Sequence, residues 1–107
     1  MTYRIVLAAA LVAGITALTA TASFAQWAQS EREEFARDCV QSCRANDKVP
    51  SDRKGQCVDY CACVGDAAER TEPNYKVLND DFLQQRDTPR VRAVKNSVPA
   101  CNQKAFR

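Results

Sequence analysis

Histidine is absent from this chain, methionine occurs only as Met1, and glycine only at positions 14, 55 and 65. Without histidine, a serine or cysteine nucleophile has no ordinary base beside it, and the commonest ligand for zinc and copper is missing. The C-x-x-C-H signature of haem attachment does not occur, nor do the two C-x2-C pairs of an all-cysteine zinc site. The glycines lie too far apart for a phosphate-cradling loop. Glu33-Glu34 and Asp80-Asp81 are paired carboxylates in sequence only, because neighbours on a helix diverge by about 100° and build no acid/base dyad. No alternation of apolar and polar residues is long enough for a strand. These absences leave no catalytic, cofactor-binding or metal-binding residue to name, and they direct attention to the six cysteines.

The first 25 residues read as an export signal. Arg4 supplies a positive charge, Ile5 to Leu18 is apolar apart from Gly14 and Thr16, and Ser23-Phe24-Ala25 offers small residues where a signal peptidase cuts. The apolar run is shorter than the roughly 20 residues needed to cross a bilayer. Cleavage after Ala25 is expected, with Ala20-Thr21-Ala22 a second acceptable site. The product, residues 26–107, is then one small soluble domain in the periplasm or outside the cell. Such a compartment is oxidising, so cysteines are read first as disulfides. A domain of this size needs them, since its hydrophobic core alone yields only a few kcal/mol.

Charge is unevenly spread. Residues 26–85 carry 8 basic and 12 acidic side chains, whereas residues 86–107 carry 6 basic against Asp87 alone. A basic tail of this kind is ordinarily a solvated helical face. No aromatic residues interleave with it to stack on bases, so nucleic acid is not an expected partner.

Helical punctuation divides the chain into four. Ser30-Glu31-Arg32-Glu33 has the form of a capping box, and Phe35, Cys39 and Cys43 follow at helical spacing. Glu33 and Arg37 are placed for an i,i+4 pair. Asn46-Asp47-Lys48-Val49-Pro50 is a turn, and Ser51 is positioned to cap a second helix with Cys57, Cys61, Val64 and Ala68 on one face. Gly55 and Gly65 weaken that helix unless a neighbour packs closely on it. Tyr75, Leu78 and Phe82 mark a third helix. Thr88 and Pro89 open a fourth, with Val91, Val94 and Val98 on one face and Pro99 as its end. The expectation is an all-α fold: a hairpin of about 30–46 and 51–70, then two short helices of about 74–86 and 89–98.

Residues four apart on a helix share a face, so Cys39 and Cys43 point together, as do Cys57 and Cys61. In an antiparallel hairpin the inner cysteines lie level near the turn and the outer pair further out. That register predicts Cys43–Cys57 and Cys39–Cys61. Cys63 lies about 200° round the helix from Cys61 and faces away from the first helix, leaving Cys101 as its partner. Six cysteines allow 15 pairings, and geometry selects this one.

The pattern Cys39-x3-Cys43-x13-Cys57-x3-Cys61 resembles the twin CX3C helical hairpin of the small translocase chaperones of the mitochondrial intermembrane space and of plant α-hairpinins. The resemblance covers residues 30–70 and implies the same inner and outer pairing. It implies no one activity, since those families include chaperones, inhibitors and antimicrobial peptides. As a whole the chain looks like small exported proteins of Gram-negative bacteria.

The function expected from these features is a non-enzymatic binding or structural module, monomeric, with another periplasmic protein as its partner and no stable membrane insertion. Trp27, Tyr75 and Phe82 are candidate contact residues. Tyr75 and Phe82 have helical spacing and are expected in the core, whereas Trp27 precedes the first helix and is expected to stay accessible. The alternative is thiol-disulfide or soft-metal chemistry at Cys61 and Cys63, which requires their sulfurs to meet.

Overall fold

The computed structural model describes residues 26–107, and the expected export signal at residues 1–25 lies outside them. Among the described residues the fold is all-α, with helices α1 (Gln29–Ala45), α2 (Cys57–Thr71), α3 (Tyr75–Leu83) and α4 (Pro89–Ala105) and a 3-10 segment at Ser51–Gln56. None of these helices is long and apolar enough to cross a membrane.

Helix α1 begins before Ser30. Glu31 Oε1 accepts from the Ala28 N–H at 2.9 Å, so the reach-back half of a capping box is made by Glu31 rather than Glu33. The winding is carried back by Trp27, whose indole N–H donates to the Glu72 carbonyl at 2.8 Å and fixes the chain just ahead of the helix. Glu33 takes Gln29 as its neighbour at 3.2 Å, in place of the expected Arg37.

The turn after α1 is closed by the Lys48 N–H donating to Asn46 Oδ1 at 3.0 Å. Ser51 starts the 3-10 segment instead of capping α2, which therefore begins six residues later than expected. That tighter winding delivers two cations to two helix ends. Lys54 donates to the carbonyls of Arg44 and Asn46 at the end of α1. Arg53 donates to the Phe106 carbonyl at the end of α4, at 2.8 Å. Both satisfy carbonyls that a helix C-terminus leaves unpaired, at the negative end of its dipole.

The C-termini of α1 and α4 thus meet the start of α2 at one pole, and both helices run antiparallel to α2. Helix α2 packs on α1 and on α4, and α3 packs against α4. Arg32 clamps the first pair: its guanidinium bonds Asp66, Glu69 and the Ala62 carbonyl. It lies flat on Gly65, where a Cβ would come within 2.9 Å of Arg32 Cζ, so Gly65 is the point of close packing. Nothing approaches Gly55.

Thr88 caps α4 by accepting from the Val91 N–H at 3.2 Å, with Pro89 following it. Pro99 does not end the helix. It lies inside a 17-residue α4 as long as α1, although proline removes one N–H from the ladder. The second half is held by tertiary contacts: Cys101 is bonded to Cys63, and Phe106 packs on Tyr60 with ring centroids 5.8 Å apart. Helix α3 is shorter than expected because the chain leaves it at Gln84 and turns through Gln85, at φ 54°.

Candidate functional site

The structure joins Cys39 to Cys61, Cys43 to Cys57 and Cys63 to Cys101, with Cα separations of 5.8, 5.8 and 5.6 Å, inside the range an unforced bridge spans. No described cysteine is free. Three bridges mark an oxidising, extracellular-type environment. Cys61 and Cys63 belong to different bridges and leave α2 toward α1 and α4 respectively. They do not form the Cys61-Ala62-Cys63 pair that the redox alternative requires.

Trp27 is buried, contrary to expectation, at 5% exposure. Its ring lies edge-on to Tyr75 at 5.0 Å and tilted against Phe35 at 5.4 Å. Apolar contact with these rings and the bond to Glu72 outweigh its position at the edge of the fold. Tyr75 is buried beside it, and burial followed by the Glu34 carboxylate at its hydroxyl pushes the phenol up to about 12. Phe82, expected in the core, is instead exposed on the surface of α3 next to Leu83, which has 73% exposure.

Sequence reasoning passed over Asp81. It is completely buried, and its carboxylate accepts from Arg90 Nε, from Arg90 Nη2 at 3.1 Å and from Thr88 Oγ1 at 2.9 Å. The hydrogen bonds from Arg90 hold its carboxyl below the ordinary carboxylate range against the opposing effect of burial. Arg86 lies 3.6 Å away and also pairs with Asp80. Much of the basic tail is consumed this way, since Arg92 pairs with Asp87. Asp80 and Asp81 share Arg86 but sit differently: one is half-exposed, the other is buried and locks the α3–α4 corner. Only the later Thr88 and Arg90 hint at this, and nothing local distinguishes Asp81 from Asp80.

A trough open to a ligand runs between α1 on one side and α3 and α4 on the other. Because α1 and α4 are each fixed to α2, one on either flank, they stand apart with Val64 of α2 in the floor. One stretch, about 430 Å³, has Phe35, Tyr75, Phe82 and Val94 in its walls, with Asp38 and Lys95 on opposite edges. It continues past Cys39, Ser42 and Val98 into a second of about 350 Å³ that reaches Tyr60, Val49 and Phe106. Both volumes are in the range of ligand pockets. The walls hold apolar carbon, the three amides of Asn46, Asn79 and Asn102, the Ser42 hydroxyl, two tyrosines and oxidised sulfur, besides Asp38 and Lys95. Among the described residues no three histidine, cysteine or carboxylate groups are placed to hold a metal ion. Set against known protein families, curated proteins and solved structures, the chain matches none.

Proposed function

We propose that this chain is an exported, non-enzymatic binding module of the periplasm or extracellular space, working as a monomer through the trough between α1 and α4. The observation that carries this reading is the use of the cysteines. Two bridges fix α1 to one flank of α2 and the third fixes α4 to the other, so the walls of an apolar cleft are covalently held apart. A cleft held open in this way does not have to be ordered when a ligand arrives, which lowers the cost of binding. The pairing of Arg86, Arg90 and Arg92 with carboxylates supports a protein rather than a nucleic acid as partner.

The test uses the oxidised full-length secreted product and the apolar dye ANS. Dye fluorescence is expected to rise on binding to the wild type and to be lost in Ser42→Trp, whose indole fills the junction of the two stretches. Equal binding to both proteins, with circular dichroism showing Ser42→Trp folded, would remove the trough as the working surface.

A further inference from the structure

We infer that the trough receives an amphipathic helix of another protein, about three turns long, carrying basic residues along the flank that meets α1. This deepens the binding-module reading and rests on it. Length comes first. From Phe35 to Asn46 along α1 the cleft runs roughly 16 Å at 1.5 Å per residue, which is elongated for a compact small molecule and matches three helical turns. The walls have the right relief as well. On α1, Asp38, Ser42 and the C-cap Asn46 recur every four residues, and Val94, Val98 and Asn102 do so on α4. Rows at this spacing are the ridges against which a further helix packs.

Charge selects the flank. Asp38 lies on the α1 wall of the trough with Tyr75 across from it, and Glu34 and Glu31 follow on the same face of α1 just beyond the Phe35 end. Among the described residues no lysine or arginine is bridged to any of them. A partner with lysines or arginines on that flank would place them beside Asp38 and, at its end, toward Glu34 and Glu31, whereas acidic side chains there would meet like charge. Lys95 on the opposite wall favours an acidic or neutral residue on the other flank. The expected sequence signature is therefore an apolar stripe at i, i+3, i+4 and i+7 with basic residues on one side of it.

The probes are two synthetic amphipathic peptides of about 12 residues with one leucine stripe, differing only in lysine or glutamate on one flank. Titration calorimetry at low salt is expected to show the lysine peptide binding at least about ten-fold more tightly than the glutamate peptide. Asp38→Lys should shrink or reverse that preference, Ser42→Trp should abolish binding, and Val58→Asp on the opposite face should leave it unchanged. Equal affinity for the two peptides, or a loss in Val58→Asp as large as in Ser42→Trp, would overturn the inference. If ANS enters the trough and neither peptide does, the helical partner is wrong and the binding module stands. If neither dye nor peptide binds, both fall.

Discussion

At the pole where α1 turns toward α2, the buried side chains are Cys43, Cys57 and Cys61. At the opposite pole Trp27, Tyr75, Leu78, Val91 and Val94 are buried around the back of α2, and Asp81 is locked to Arg90 at the adjoining corner. The first end buries no apolar side chain besides its own bridges, with Val40, Val49, Tyr60 and Phe106 only partly covered around them. The second is a core of aromatic and branched side chains that takes in a single bridge, Cys63–Cys101. A small domain that cannot fill both ends with hydrocarbon holds one of them by covalent bonds. The trough crosses the boundary between the two, one stretch at each end, so its shape depends on both kinds of support.

The comparison breaks most readily at the cysteine pole. Replacing Cys39, Cys43, Cys57 and Cys61 together by alanine removes two nested cross-links closing separations of 22 and 14 residues. Nested loops do not add fully, so the expected loss is roughly 3 to 4 kcal/mol. It should be local as well as global. Amide exchange should accelerate first over residues 39–57, while Leu78 and Val91 keep slower exchange than their neighbours at the other pole. Uniform acceleration along the chain would show that the two ends are not separately supported.

At the other end, a smaller effect is expected from Asp81→Asn, which keeps the volume and the bond from Thr88 but removes the charge facing Arg90. The folded carboxyl titrates below its unfolded value of about 3.8. Its contribution is therefore complete above that value and lost as pH falls toward the lower folded pKa, because protonation is then easier in the unfolded chain. Wild type should lose stability through this acid window, and Asp81→Asn should be less stable at neutral pH and flatter below about pH 4. Denaturation midpoints measured over that range decide it; parallel curves for the two proteins would mean that Asp81 is not the group that ties the corner.

What was legible in the residues follows the same division. The bridges are set by i,i+4 periodicity and the antiparallel register of a hairpin, both local, so Cys39, Cys43, Cys57 and Cys61 could be paired from spacing. Thr88-Pro89 and Asn46 were legible for the same reason, since each acts on backbone within a few positions. Trp27, Asp81 and Pro99 were not. The burial of Trp27 depends on Glu72, 45 residues away, and the charge on Asp81 is tolerated because α4 brings Arg90 to it. Helix α4 passes Pro99 because a bond from Cys63 and a ring contact from Tyr60 hold its far end. The trough is less legible still: it is the space left over when two helices are fixed to opposite flanks of a third, and no residue in the sequence announces a gap.

The finest adjustment lies at Gln85, where the corner that Asp81 holds is entered. The Arg86 N–H donates to the Asp81 carbonyl at 2.8 Å and the Gln85 N–H to the Phe82 carbonyl at 3.2 Å. This is the Schellman pairing, in which the residue after the helix cap adopts the left-handed conformation. Gln85 takes it at φ 54° with a Cβ that crowds the backbone, where glycine is the usual occupant. The turn brings Arg86 back toward Asp80 and Asp81, so the backbone strain and the ion pairs belong to one feature. Gln85→Gly should relieve the strain without disturbing those pairs, stabilising by about 1 kcal/mol and raising Tm by roughly 4 to 8 °C in a domain of this size. The glutamine side chain takes part in no hydrogen bond among the described residues, so nothing offsets the gain except the greater freedom of glycine in the unfolded chain. A thermal melt in which the variant falls below wild type would mean that this freedom outweighs the strain, and that the corner is held by Asp81 and Arg90 with no measurable cost in the turn.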